Sequence, residues 1–131
     1  MIFLDANYII SLYVETEIKH DKAVDIWEKI KHEDLVISNS IILEVITISN
    51  VKLKLEKEKL EGIYNNLVSG RFKIVEDVPF QNKGMKKLLD YMPQRLPLFD
   101  CLYIELTEQL GISRIATFDK DFYNKGIEII E

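Results

Sequence analysis

The sequence predicts an α/β fold in which a central, mostly parallel five-stranded sheet is covered on both faces by helices. Three observations lead there. Five short segments rich in Ile, Val, Leu and Phe alternate along the chain with longer segments of helical period. No Asn-Gly pair joins two such segments as a tight hairpin would. The opening run Ile2-Phe3-Leu4 is continuously apolar, as a strand buried on both faces is.

Ile2 to Leu4 reads as the first strand, and Asn7 to Val14 as a brief helix. His20 to Lys31 reads as an amphipathic helix, with Ala23, Ile26, Trp27 and Ile30 on one face. Leu35 to Ile37 is the second strand. Ser38-Asn39-Ser40 then supplies N-cap chemistry for a helix running through Asn50. Leu53, Leu60, Ile63, Tyr64 and Leu67 keep helical spacing, and the Lys and Glu residues between them suit a solvated face. Phe72 to Val75 is the third strand. Phe80 to Tyr91 reads as helical, although Gly84 weakens that pattern. Pro93 and Pro97 bracket a loop, after which a helix from Leu98 to Leu110 stops at Gly111. Arg114 to Ala116 and Ile127 to Ile130 are the fourth and fifth strands. There is no internal repeat and no low-complexity tract.

A length of 131 residues predicts one domain spanning residues 1–131. The hydrophobic fraction of 47% and the charged fraction of 30% suit a globular chain with a sizeable core. The one cysteine, Cys101, excludes an intramolecular disulfide and a Cys-rich zinc site. Asp5 and Asn7 interrupt any N-terminal leader, and no apolar run approaches the ~20 residues that span a bilayer, so a cytoplasmic protein is expected. A net charge of −5 argues against coating nucleic acid by bulk electrostatics. It does not argue against a nuclease, because clustered carboxylates lower the formal charge and bound metal reverses their effect on a phosphate.

Four acids stand where the fold wants apolar side chains. Asp5 ends the run Met1-Ile2-Phe3-Leu4. Glu44 interrupts Ile41-Ile42-Leu43 and Val45-Ile46. Asp100 lies between Leu98-Phe99 and Cys101-Leu102, and Asp119 follows Ile115-Ala116-Thr117-Phe118. None has a Lys or Arg within its apolar run. An ionised carboxylate in apolar surroundings costs several kcal/mol or shifts its pKa unless something positive faces it. A divalent metal is the economical partner. In parallel α/β sheets, ligands bind beyond the strand C-termini. Asp5 and Asp119 lie just past predicted strand ends, Glu44 about a turn into the helix after the second strand, and Asp100 in a first helical turn. The four are therefore expected at one edge of the sheet.

Each acid also has a plainer role. Asp5 fits an N-cap, Glu44 an acid at a helix edge bonding to Ser40, Asp100 a favourable charge in a first turn, and Asp119 a capping residue that Asp121 could replace. Asp5-Ala6-Asn7 also resembles the start of a haloacid-dehalogenase-type phosphatase, which needs an Asp where Asn7 stands. His20 and His32 sit among charged residues and read as surface groups. No Ser-His-Asp or Cys-His set points to covalent catalysis.

The order Asp5, Glu44, Asp100, Asp119, with Thr117-Phe118-Asp119-Lys120-Asp121-Phe122 near the C-terminus, resembles the PIN-domain ribonucleases, most of all the VapC-type toxins of toxin–antitoxin pairs. The resemblance runs over essentially the whole chain. Ala6 stands where family members often carry Thr or Ser, and Tyr103 and Glu105 where small residues are common. Neither change removes a ligand.

The resemblance implies a three-layer α/β/α PIN-like fold and a metal-dependent ribonuclease. Asp5, Glu44, Asp100 and Asp119 would hold Mg²⁺ or Mn²⁺, with Asn7, Thr117 and Asp121 as supporting groups. It also implies a homodimer and an antitoxin partner. Lys86, Lys87, Arg95 and Lys120 are the candidates for RNA contacts, with solvated surface charge the alternative, and Tyr8 and Tyr13 for base stacking, with core packing the alternative for both tyrosines. The competing readings are a phosphatase with Asp5 as its nucleophile, and a catalytically silent domain that binds RNA or protein.

Overall fold

The structure is a computed structural model that describes residues 1–131. Strand β1 (Ile2–Leu4) leads into helix α1 (Ala6–Tyr13), and α2 (His20–Ile30) returns the chain to β2 (Leu35–Ser38). Helices α3 (Asn39–Thr47) and α4 (Lys57–Leu67) precede β3 (Lys73–Val75). Helices α5 (Gln81–Tyr91) and α6 (Leu98–Gln109) precede β4 (Arg114–Ala116) and then β5 (Glu128–Ile130).

All five strands are parallel, in the order β3-β2-β1-β4-β5. The expected sheet is present and wholly parallel. Every residue of β1 and β2 is buried, so both faces of the sheet centre are covered, while the edge strands β3 and β5 carry exposed residues. On the helical layers, α1 packs on α2 and α3, α3 on α4, and α5 on α6. A core of 28 buried residues, from Ile2 to Phe122, joins the sheet to these helices.

The sheet grows outward in both directions from β1, so the strand order reverses between β1 and β4. That is where open α/β sheets bind ligands. Register places Leu4 beside Ala116, and the Asp5 amide donates to the Ala116 carbonyl at 3.0 Å. The residues just beyond these two strands, Asp5 and Thr117, are therefore neighbours despite their separation in sequence.

Two elements differ from the sequence expectation. The helix begun by Ser38, whose hydroxyl accepts from the Ile41 amide, widens after Thr47 into π-helical turns at Ile48–Lys52. The next helix starts at Lys57 rather than near Leu53, because Lys54 adopts a left-handed φ of 53° that no helix continues through. Gly84 lies inside α5 as expected from its neighbours. An added Cβ there would meet the Leu102 backbone at 3.1 Å, so the glycine is what allows α5 and α6 to approach. No helix is long and apolar enough to cross a membrane.

Candidate active site

Helix α1 begins at Asp5, whose extended backbone lets its own side chain cap the helix: Oδ1 accepts from the Ala6 amide at 2.8 Å. The plain N-cap role is therefore real, but it uses only one oxygen. Oδ2 accepts from the Thr117 hydroxyl at 2.8 Å and from Asn7 Nδ2 at 3.0 Å. Asn7 Oδ1 accepts from the Phe118 amide, and Thr117 Oγ1 accepts from the Asp119 amide at 3.0 Å. A hydrogen-bonded bridge thus ties the end of β1 to the end of β4 and aims Asp5.

Asp119 leaves that bridge as the cap of a short 3₁₀ turn, with Oδ1 accepting from the Asp121 amide at 2.9 Å. Asp100 enters from the first turn of α6. Carboxylate oxygens of Asp100, Asp119 and Asp121 all lie within 4.8 Å of one another. Asp119 and Asp121 thus share the neighbourhood of Asp100. Glu44 enters from α3, half-buried, and its Oε1 accepts from the Tyr103 hydroxyl.

Asp5, Glu44, Asp100 and Asp119 line one cleft of about 420 Å³, together with Asn7, Lys52 and Phe99. The structure therefore brings together all four acids that the sequence singled out. No Lys or Arg forms an ion pair with any of them.

The electrostatic consequence is marked. Burial pushes the Asp5 carboxyl up to about 7, against the opposing pull of its Thr117 and Ala6 hydrogen bonds, and the charges of Glu44 and Asp119 add to the rise. Asp100 is pushed up to about 8, first by burial and then by Asp5 and Asp119. Glu44 is also raised, chiefly by burial. Asp100 Oδ2 is buried with no hydrogen-bond partner. An unpaired carboxylate oxygen facing other acids is what a divalent cation satisfies, and an all-oxygen donor set suits Mg²⁺ or Mn²⁺ chemistry. The residues fit such an ion.

The four basic residues expected at RNA fare differently. Lys86, Arg95 and Lys120 are exposed, while Lys87 pairs with Glu108 at 2.7 Å and faces Glu105 at 3.9 Å. None of the four lines the cleft, whereas Lys52 does. The signal for Lys52 is present in the sequence: Glu44, Ile48 and Lys52 recur every four residues, and all three face the cleft. Tyr8 is fully buried, with its hydroxyl donating to the Ala23 carbonyl at 3.0 Å, so it belongs to the core and not to a stacking surface. Tyr13 is half-buried and bonded to Asn66. His20 bonds the Ser11 carbonyl at 2.8 Å, and neither it nor His32 lines the cleft.

The family model for the PIN domain matches residues 2–128. A curated relative, ribonuclease VapC1 of Aquifex aeolicus (strain VF5), is 26% identical over 134 residues, covering 98% of this chain and 88% of that protein. Among solved structures, VapC20 of Mycobacterium tuberculosis, described as a toxin that cleaves the sarcin–ricin loop, superposes with a TM-score of 0.86. It is 18% identical and covers 97% of this chain and 96% of its own. VapBC2 from Rickettsia felis, solved with a fragment of promoter DNA, superposes at 0.69 with 14% identity, covering 99% and 98%.

Proposed function

This chain belongs to the PIN domain family, and on that premise we propose that it is a metal-dependent endoribonuclease acting as the toxin of a toxin–antitoxin pair. The observation that carries the reading is the convergence of Asp5, Glu44, Asp100 and Asp119 on one cleft with no basic residue among their partners. The ribonuclease name of the Aquifex relative and the RNA-cleaving toxin of known structure support the same chemistry. One domain spanning residues 1–131, working on cytoplasmic RNA, completes the reading.

Asp5, Glu44, Asp100 and Asp119 would hold Mg²⁺ or Mn²⁺, directly or through water, and Asp121 would complete the acidic wall behind Asp119. Such an ion supplies Lewis acidity, activating water for attack on phosphorus and neutralising charge that develops on the phosphate. Thr117 and Asn7 keep the Asp5 carboxylate aimed into the cleft through their hydrogen bonds. Lys52 at the cleft wall offers a cation to the RNA backbone. Phe99 is 47% exposed at the same wall and offers a face on which a base stacks, which favours single-stranded RNA. Lys86, Arg95 and Lys120 remain candidates for more distant backbone contacts.

A phospho-aspartate mechanism is disfavoured, because Asn7 gives its amide to Asp5 and supplies no acid at that position. The partners proposed are a second copy of this chain and an antitoxin that covers the acidic cleft. Incubating a circular single-stranded RNA and a small phosphomonoester with the protein tests the function. The expected result is linearised RNA with Mn²⁺, none with EDTA, and an untouched phosphomonoester. RNA that stays intact with Mn²⁺ while the phosphomonoester is hydrolysed would overturn it.

A further inference from the structure

Tyr103 stands one turn after Asp100 on α6 and is completely buried. Its ring packs against Phe3 at 5.3 Å, two residues before Asp5, and stacks on Phe99 at 6.3 Å, immediately before Asp100. Its hydroxyl donates to Glu44 Oε1. One side chain thus touches the three elements that carry Asp5, Glu44 and Asp100. Glu44 has no ion pair and no other side-chain hydrogen bond. A phenylalanine would fill the same space against Phe3 and Phe99, so packing alone does not call for the hydroxyl. A half-buried glutamate on a helix has several rotamers open to it, and some of them turn the carboxylate toward solvent.

We propose that Tyr103 is a positioning residue for the cation site: its hydroxyl holds the Glu44 carboxylate turned into the cleft that Asp5, Asp100 and Asp119 also line, where a divalent ion would bind. This rests on the reading that the four acids bind a divalent cation. Partners that orient ligands in this way typically change metal affinity by roughly 10- to 100-fold when removed. The hydroxyl also ties α3 to α6 at the cleft, so the site is prearranged before any ion arrives.

The test is Mn²⁺ binding to the RNA-free protein, read from the electron paramagnetic resonance signal of free Mn²⁺. The proteins compared are wild type, Tyr103→Phe, Glu44→Gln, the Tyr103→Phe/Glu44→Gln double variant, and Tyr8→Phe. The last deletes an equally buried phenol hydroxyl that bonds only the Ala23 carbonyl, and so reports the effect of losing such a group elsewhere in the core. Tyr103→Phe is expected to stay folded and to bind Mn²⁺ about 10-fold or more weakly. It should add no further loss to Glu44→Gln, and Tyr8→Phe should bind as wild type does. Wild-type affinity in Tyr103→Phe, an equal further loss in the Glu44→Gln background, or an unfolded Tyr103→Phe protein would each overturn the proposal. A wild type that binds Mn²⁺ and cleaves RNA beside an unaffected Tyr103→Phe overturns this inference alone. A wild type that binds no Mn²⁺ overturns the functional reading with it.

Discussion

Asp5 accepts three hydrogen bonds, yet burial still pushes its carboxyl up to about 7, outweighing the pull of the Thr117 and Ala6 bonds. Asp5→Asn removes that cost, but it also sets an amide N–H against Asn7 Nδ2, and the two effects oppose one another. The variant is expected to lose RNA cleavage while its stability in urea stays within about 1 kcal/mol of wild type at pH 7. Full cleavage by Asp5→Asn would remove this residue from the site. At this scale the sequence was informative because a carboxylate inside an apolar run has few structural explanations. Asn7 and Thr117 were legible as neighbours of such acids. Lys52 was harder to read, since an exposed lysine among many gives no sign of which one faces the cleft. Tyr103 is visible in the sequence only as a large residue where the family commonly has small ones, because a hydrogen bond to a residue 59 positions away leaves no local trace.

Elements were legible to within a residue or two wherever apolar periodicity was strong. The strands β1 and β4 match the residues expected, and α2 ends one residue early. The misreadings fall where backbone geometry changes without a change in residue type. Five residues of π-helix carry nearly the same apolar spacing as α-helix, so Ile48–Lys52 could not be told apart. The left-handed Lys54 has no glycine or asparagine to announce it. Gly84 weakened the sequence pattern for α5, yet it is the position that the α5–α6 contact requires. Gly84→Ala would gain helix propensity and lose the close approach to the Leu102 backbone. Because backbone cannot move aside as a side-chain tip can, the net result expected is a loss of about 1–3 kcal/mol, measured by thermal unfolding. A variant as stable as wild type would show that α5 can shift away from the helix that carries Asp100.

On the scale of the whole molecule, the acidic cleft makes stability depend on pH and on cations. Asp5 and Asp100 rise from 3.8 to about 7 and about 8 in the folded state, and Glu44 rises too. Between about pH 4 and pH 8 the metal-free folded protein therefore holds more protons than the unfolded chain. Its stability must fall as pH rises through that window and level off above it. Saturating Mg²⁺ or Mn²⁺ offsets the cost of burying these charges and should flatten the slope. Melting temperatures of the metal-free protein that do not change between pH 5 and 8 would contradict this account. The molecule's overall charge, by contrast, says little: the net −5 reflects in part the acids gathered in one cleft.

The most direct measurement is an anomalous difference map from crystals of the protein grown or soaked with Mn²⁺. The account predicts a peak within the cleft bounded by Asp5, Glu44, Asp100 and Asp119 that disappears in Asp100→Asn. A cleft without a peak at saturating Mn²⁺, or a peak that persists unchanged in that variant, would contradict it.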